Sequence, residues 1–140
     1  MRILIADDND RIRNAIKVML NTEADFQVCG EAAHGQQTLE LARQLLPDIV
    51  LLDIHMPESD GFQVARQLRL EFPELKVLIM SQGDAAMISP IALQIGANGC
   101  LDKVYLGTEL TRRLRQLTKP NAAVSSVSPA GQRYWRLHAK

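Results

Sequence analysis

Carboxylates, a hydroxyl and an ammonium group each stand directly after a short apolar run. Ile3 to Ala6 leads into Asp7-Asp8, Ile49 to Leu52 into Asp53, Val77 to Met80 into Ser81, and Gly99 to Leu101 into Asp102-Lys103. If those runs are neighbouring parallel strands, the residues that follow them share one rim, because ligand crevices of open α/β sheets lie beyond the carboxyl ends of the strands. Carboxylates crowded together without a cation repel one another, and hard oxygen donors suit Mg²⁺, which takes few protein ligands and keeps some of its water. The chemistry suggested is therefore that of a small acidic metal site with a hydroxyl and a lysine beside it.

Taken singly, each residue has a plainer explanation. Asp8, Asn9 or Asp10 can cap a following helix by accepting its free N–H groups. Asp53 can close a turn together with Met56-Pro57 and Asp60-Gly61. Ser81 and Lys103 alone carry no information. Only their joint placement is specific.

The elements that must position them follow from periodicity. The runs at Ile3 to Ala6, Ile49 to Leu52 and Val77 to Met80 are unbroken, as in strands covered on both faces. Phe26 to Ala33 supplies a second strand and Gly99 to Leu101 a short fifth. Between them Ile12, Ala15, Ile16, Met19 and Leu20 recur at helical spacing, as do Leu39, Leu41, Ala42 and Leu45, then Val64, Leu68 and Phe72, and finally Leu106, Leu110, Leu114 and Leu117. Five strand-then-helix units predict an α/β fold, a doubly wound parallel sheet with right-handed crossovers. Asp84 to Ala97 is the irregular stretch, because Pro90 interrupts or kinks a helix there. From Thr118 the chain turns small, polar and Pro-punctuated, which reads as linker, so the expected domain is 1–117 with a tail at 118–140.

A length of 140 residues suits one domain with one core. No apolar run approaches a membrane span, and the chain enters its first acids too early for a secretory signal, so no membrane and a cytoplasmic location are expected. Cys29 and Cys100 lack metal-site spacing and read as reduced, buried thiols. The zero net charge conceals an asymmetry: residues 1–110 hold nine Lys and Arg against sixteen Asp and Glu, whereas residues 111–140 hold seven Lys and Arg and no acid.

Several of these segments, in order, resemble the receiver domains of two-component response regulators over roughly residues 1–117. Ile3-Leu4-Ile5-Ala6-Asp7-Asp8-Asn9 resembles the family's acidic pair, and Asp53-Ile54-His55-Met56-Pro57-Glu58-Ser59-Asp60-Gly61 its phosphoacceptor loop. Met80-Ser81 resembles its hydroxyl switch, and Gly96 to Lys103 its lysine strand. The resemblance implies a flavodoxin-like (βα)5 sheet of order 2-1-3-4-5. It implies Asp53 as the nucleophile that accepts a phosphoryl group from a sensor histidine kinase. Mg²⁺, or Mn²⁺ in its place, would be held by Asp8, Asp53 and the backbone carbonyl of His55, with Asp7 acting through water. Lys103 would pair with a phosphoryl oxygen and Ser81 would hydrogen-bond the group after transfer, drawing its loop inward toward a readout face near strands four and five. On this reading the protein is a switch and not a turnover enzyme.

Two positions depart from the family. Its aromatic three residues before the lysine is Cys100 here, and the small residue after the switch hydroxyl is Gln82, which narrows access. His55, at the mouth of the site, is expected to modulate phosphate loss; His34 and His138 have no evident partner. Two rival classes are a receiver that keeps the fold as an interaction module without phosphorylation, favoured by Gln82 and Cys100, and an aspartate-nucleophile phosphatase of the haloacid-dehalogenase type. The latter places a second Asp two residues after the nucleophile, where this chain has His55.

The tail admits a basic DNA arm of Arg112, Arg113, Arg115, Lys119, Arg133, Arg136 and Lys140. The plainer reading puts the first three as solvated cations on the last helix. The Ser/Pro/Ala stretch resembles a connector to a helix-turn-helix output domain, and Gln132 to Leu137 is too short to be one. DNA is thus expected only through an output domain outside these 140 residues, in a transcriptional context, and a homodimer is a further expectation.

Overall fold

The computed structural model describes residues 1–119. Gln132 to Leu137, His138 and the cations Arg133, Arg136 and Lys140 lie outside the described residues. The elements run β1 (Arg2–Ala6), α1 (Asp10–Asn21), β2 (Gln27–Ala32), α2 (Gly35–Leu45), β3 (Ile49–Asp53), α3 (Gly61–Glu71), β4 (Lys76–Ser81), α4 (Ala85–Gln94), β5 (Gly99–Asp102), a 3-10 turn (Lys103–Tyr105) and α5 (Leu106–Thr118). The strands form one parallel sheet of order β2-β1-β3-β4-β5, as the resemblance implies.

The unbroken apolar runs are explained by cover on both faces. Alternate residues of each central strand enter opposite cores: Leu4, Val50, Leu52, Val77 and Ile79 pack with Ala42, Ala65, Leu68 and Ala92, whereas Ile3, Ile5, Ile49, Leu51, Leu78 and Met80 pack with Ile16, Leu20, Leu110 and Leu114. The first core lies under α2, α3 and α4, the second under α1 and α5. Strand register then brings the carboxyl ends together: Asp53 pairs with Met80, and Ser81 with Asp102.

One expectation is corrected. Residues 85–94 form a continuous α-helix with Pro90 inside it. Pro90 cannot donate to the carbonyl one turn back, that of Ala86, but both residues are exposed, so water meets the freed carbonyl and the helix persists. Its first turn closes from Met87 and Ile88 N–H to Asp84 O, and its end from Ile95 N–H to Ile91 O. A second correction concerns Cys29, which is half-buried, while Cys100 is buried as expected; both are free thiols.

Two of the three arginines of α5 are paired. Arg112 binds Glu109, and Arg115 binds Glu23 and Asp25 while its guanidinium lies 5.1 Å over the Phe26 ring. These contacts engage two of the cations that the sequence suggested were solvated. Among the described residues no helix is long and apolar enough to cross a membrane.

Candidate functional site

Asp53 ends β3 and is 2% exposed; its Oδ1 accepts the His55 N–H at 3.0 Å, which folds the chain sharply after the strand. Asp7, just beyond β1, is fully buried, and its Oδ1 accepts the Asn9 N–H at 2.8 Å. Lys103, just beyond β5, reaches back between the two: its Nζ lies 2.6 Å from Asp7 Oδ2 and 3.2 Å from Asp53 Oδ2, with the side chain 12% exposed. Burial raises the Asp7 pKa, and the neighbouring Asp53 charge adds to that, against the lowering effect of Lys103 and the Asn9 N–H. Burial would lower the Lys103 pKa, but Asp7 and Asp53 outweigh it and hold the ammonium group above its ordinary value.

Asp8 is exposed on the solvent side of this pair. Asn9, not Asp8 or Asp10, caps α1 by accepting the Arg11 N–H at 2.9 Å and the Ile12 N–H at 3.3 Å, which leaves Asp8 unengaged by the helix. One carboxylate oxygen from each of Asp7, Asp8 and Asp53 lies within 4.8 Å of the others, the one such group among the described residues. Asp7 Oδ2 is buried and receives no directed hydrogen bond, only the Lys103 charge. Three oxygen donors, one under-satisfied and one open to solvent, fit a small hard cation such as Mg²⁺.

Asp53 thus closes the turn that follows it, and further along the loop Asp60 caps α3 by accepting the Phe62 N–H at 2.9 Å. Gly61 packs so tightly on the Ile54 backbone that a Cβ there would collide with it, so the loop bearing His55 is tied to the start of α3. Asp102 stays out of the carboxylate cluster and caps the 3-10 turn through the Val104 N–H at 3.0 Å.

Ser81, at the end of β4, is fully buried, and its Oγ accepts the Cys100 thiol at 3.5 Å. Burial pushes the Cys100 thiol pKa up, with Ser81 opposing it. Gln82 is exposed and, with Gly83, Asn9, Ile12, Lys103 and Val104, lines a cleft of about 470 Å³. Gly83 takes a left-handed backbone, φ 80°.

Several contacts were not evident from sequence. His55 Nε2 lies 3.8 Å from Asp84 Oδ2, so a side chain after β3 faces one after β4 across the mouth. Asp84 stands at the N-cap position of α4 without capping it, the one local hint that its carboxylate is used elsewhere. Arg13 donates to the Asp7 carbonyl at 2.6 Å and pairs with Glu31 at 3.0 Å, bracing the acidic loop from α1. Lys17 first, then Arg13, holds Glu31 below the ordinary carboxylate range against partial burial. His34 caps α2, its Nδ1 accepting the Gln37 N–H at 3.3 Å, which supplies the partner that sequence did not identify.

Comparison with known proteins places this geometry. Residues 3–115 match the response regulator receiver domain family. The chain is 33% identical over 134 residues to the response regulator GacA of Pseudomonas aeruginosa, covering 96% of this chain and 58% of that protein. It is 30% identical over 130 residues to the uncharacterized transcriptional regulatory protein YxjL of Bacillus subtilis, covering 93% of this chain and 60% of that one. The chain thus spans somewhat more than half the length of these curated relatives. Among solved structures, the signal receiver domain of the putative response regulator NarL from Mycobacterium tuberculosis superposes with a TM-score of 0.76 at 36% identity, covering 85% of this chain and 97% of that one. The parallel sheet, the acidic rim and these matches agree, and the chain belongs to the response regulator receiver domain family.

Proposed function

We propose that this receiver takes a phosphoryl group from a sensor histidine kinase onto Asp53 and relays it as a change of conformation. The observation that carries the reading is the Lys103 ammonium set between Asp7 and Asp53, with Asp8 opening the same cluster to solvent. An Asp53 carboxylate oxygen attacks phosphorus, the bond from phosphorus to the kinase histidine breaks, and an aspartyl phosphate results. Asp8, Asp53 and the His55 carbonyl would hold Mg²⁺, with Asp7 acting through water, and the ion would supply charge neutralisation for the phosphoryl oxygens. Lys103 exchanges its contact with Asp53 Oδ2 for a phosphoryl oxygen, and Ser81 donates its hydroxyl to another. His55 and Gln82, both exposed at the mouth, govern access of water and so the lifetime of the phosphate.

The receiver unit is assigned to 1–117 and the segment 118–140 to a linker or tail. Because YxjL is a transcriptional regulatory protein by name and both relatives are longer than this chain, the proposed context is cytoplasmic control of transcription through an output domain beyond these residues. Phosphate leaves this protein by self-catalysed loss, not by turnover of free substrates.

The test is incubation with Mg²⁺ and acetyl phosphate or phosphoramidate, followed by intact mass. Gain of one phosphoryl group, absent from Asp53→Asn, is expected. No gain with any donor would return the chain to the class of interaction modules, and steady phosphate release from many phosphomonoesters would make it a phosphatase.

A further inference from the structure

Cys100 and Ser81 lie on adjacent strands and the same face of the sheet. Register pairs Ile79 with Cys100 and Ser81 with Asp102, so Ser81, two residues past Ile79, sits diagonally above the Cys100 side chain. That face is the core covered by α4, where Ala92 is buried and Ala85 and Ile88 pack against the cluster that holds Ile79 and Cys100. Strand β4 has β3, with Asp53, on one side and β5, with Cys100, on the other. The Ser81 hydroxyl accepts from the Cys100 thiol at 3.5 Å, and is therefore turned toward β5 and away from the strand that carries Asp53.

We infer that Cys100 is the positioning residue of the switch, a thiol latch that holds the Ser81 hydroxyl toward β5 until the acceptor is loaded. This deepens the reading of Asp53 as phosphoacceptor and rests on it. A serine side chain has three staggered positions, and one rotation carries its hydroxyl across the strand. Reaching an oxygen on Asp53 requires Ser81 to leave the thiol, so the latch bond is exchanged for the bond to the phosphoryl group. A thiol is a weak donor, so the latch biases the equilibrium without locking it. The change occurs beneath α4, where a side chain too short to swing outward can still alter the floor on which the helix rests.

The experiment follows the Cys100 S–H stretching band by infrared spectroscopy in a Cys29→Ser background, with Mg²⁺ and beryllium fluoride standing in for the phosphoryl group. Binding of beryllium fluoride is expected to move the band to the higher wavenumber of a thiol without an acceptor. Ser81→Ala is expected to place it there without ligand and to abolish the further shift. An unmoved band, or one moved to lower wavenumber, with beryllium fluoride bound at Asp53 would overturn the latch and leave the acceptor reading intact. Failure of beryllium fluoride to bind would overturn both. Affinity gives a second readout. Cys100→Ala should tighten beryllium fluoride binding by about two- to fivefold, the scale of one modest hydrogen bond, and Cys100→Ser, a stronger donor, should weaken it by a similar factor. Changes of the same sign in both variants would mark a packing effect and overturn the inference.

Discussion

Lys103 sits between two carboxylates that are buried more deeply than it is. Its pKa is raised, so the stability it contributes is complete below the ordinary lysine range and is lost only as pH rises through the raised value; around neutrality it is fully present. Removing the ammonium leaves Asp7 and Asp53 uncompensated in the interior, a change that costs about 3 kcal/mol when one partner of a buried ion pair is lost. Lys103→Met should therefore lower the urea midpoint in metal-free buffer, and millimolar Mg²⁺ should recover more stability in the variant than in the parent protein. Asp7 shows the opposite sign. A carboxylate whose pKa is raised stabilises the fold below its ordinary value and loses that contribution as pH rises through the raised one, so at neutral pH its charge opposes folding. Asp7→Asn should raise the thermal midpoint of the metal-free protein by a few degrees, and, as loss of a ligand's outer partner does, weaken Mg²⁺ binding by about 10- to 100-fold. Calorimetry with and without Mg²⁺ checks both. The single residues of the cluster were legible as types after apolar runs. The 2.6 Å reach of Lys103 to Asp7 was not, because it joins positions 96 residues apart and depends on where β5 places its end.

At the scale of elements, α4 is where sequence pattern and structure part. Strands β1, β3 and β4 were legible because burial on both faces demands unbroken apolar runs, but a proline in an apolar stretch argues equally for a break or for a helix with an exposed gap. Pro90 is exposed, as is Ala86 one turn earlier, so the gap is solvated. Pro90→Ala restores that N–H donor and should stabilise the protein by about 1 kcal/mol or more, seen as slower amide exchange within 85–94 and a higher urea midpoint. The diagonal Ser81–Cys100 contact was illegible for a related reason: it depends on a β4–β5 register that a four-residue strand does not announce. A second element-scale device joins α2 to α3. Arg43 binds Glu71 with both Nε and Nη2, and Gln67 adds a bond one turn earlier on the same helix. Arg43 first, then Gln67, lowers the Glu71 pKa to about 2. A depressed carboxylate contributes above its ordinary pKa and loses that contribution as pH falls through the folded value, so this clasp should survive well into acid. Titration of the Glu71 side-chain carboxyl carbon by NMR should give a midpoint near 2, moving up toward the ordinary 4.5 in Arg43→Met.

For the whole molecule, the sheet is the one structure common to both cores. Leu52 points into the core under α2, α3 and α4, and Leu51, its neighbour on β3, into the core under α1 and α5; both are fully buried. Neither layer of helices can lose its floor without exposing the other side of the same strands, which ties the two cores into one cooperative unit. Leu51→Ala and Leu52→Ala should each cost about 3 kcal/mol, the usual penalty for a cavity at a well-packed leucine. The informative measurement is where that loss is felt. Amide exchange under mildly denaturing conditions should show α1 and α5 losing the same free energy of global opening as α3 and α4 in either variant, with coincident unfolding by circular dichroism and by exchange. If Leu52→Ala loosened only α2 to α4 and left α1 and α5 protected, the sheet would be two weakly joined layers. A rearrangement at Ser81 and Cys100 under α4 could then stay on its own face, whereas a single unit makes every change at the acidic rim a change in the stability of the whole receiver.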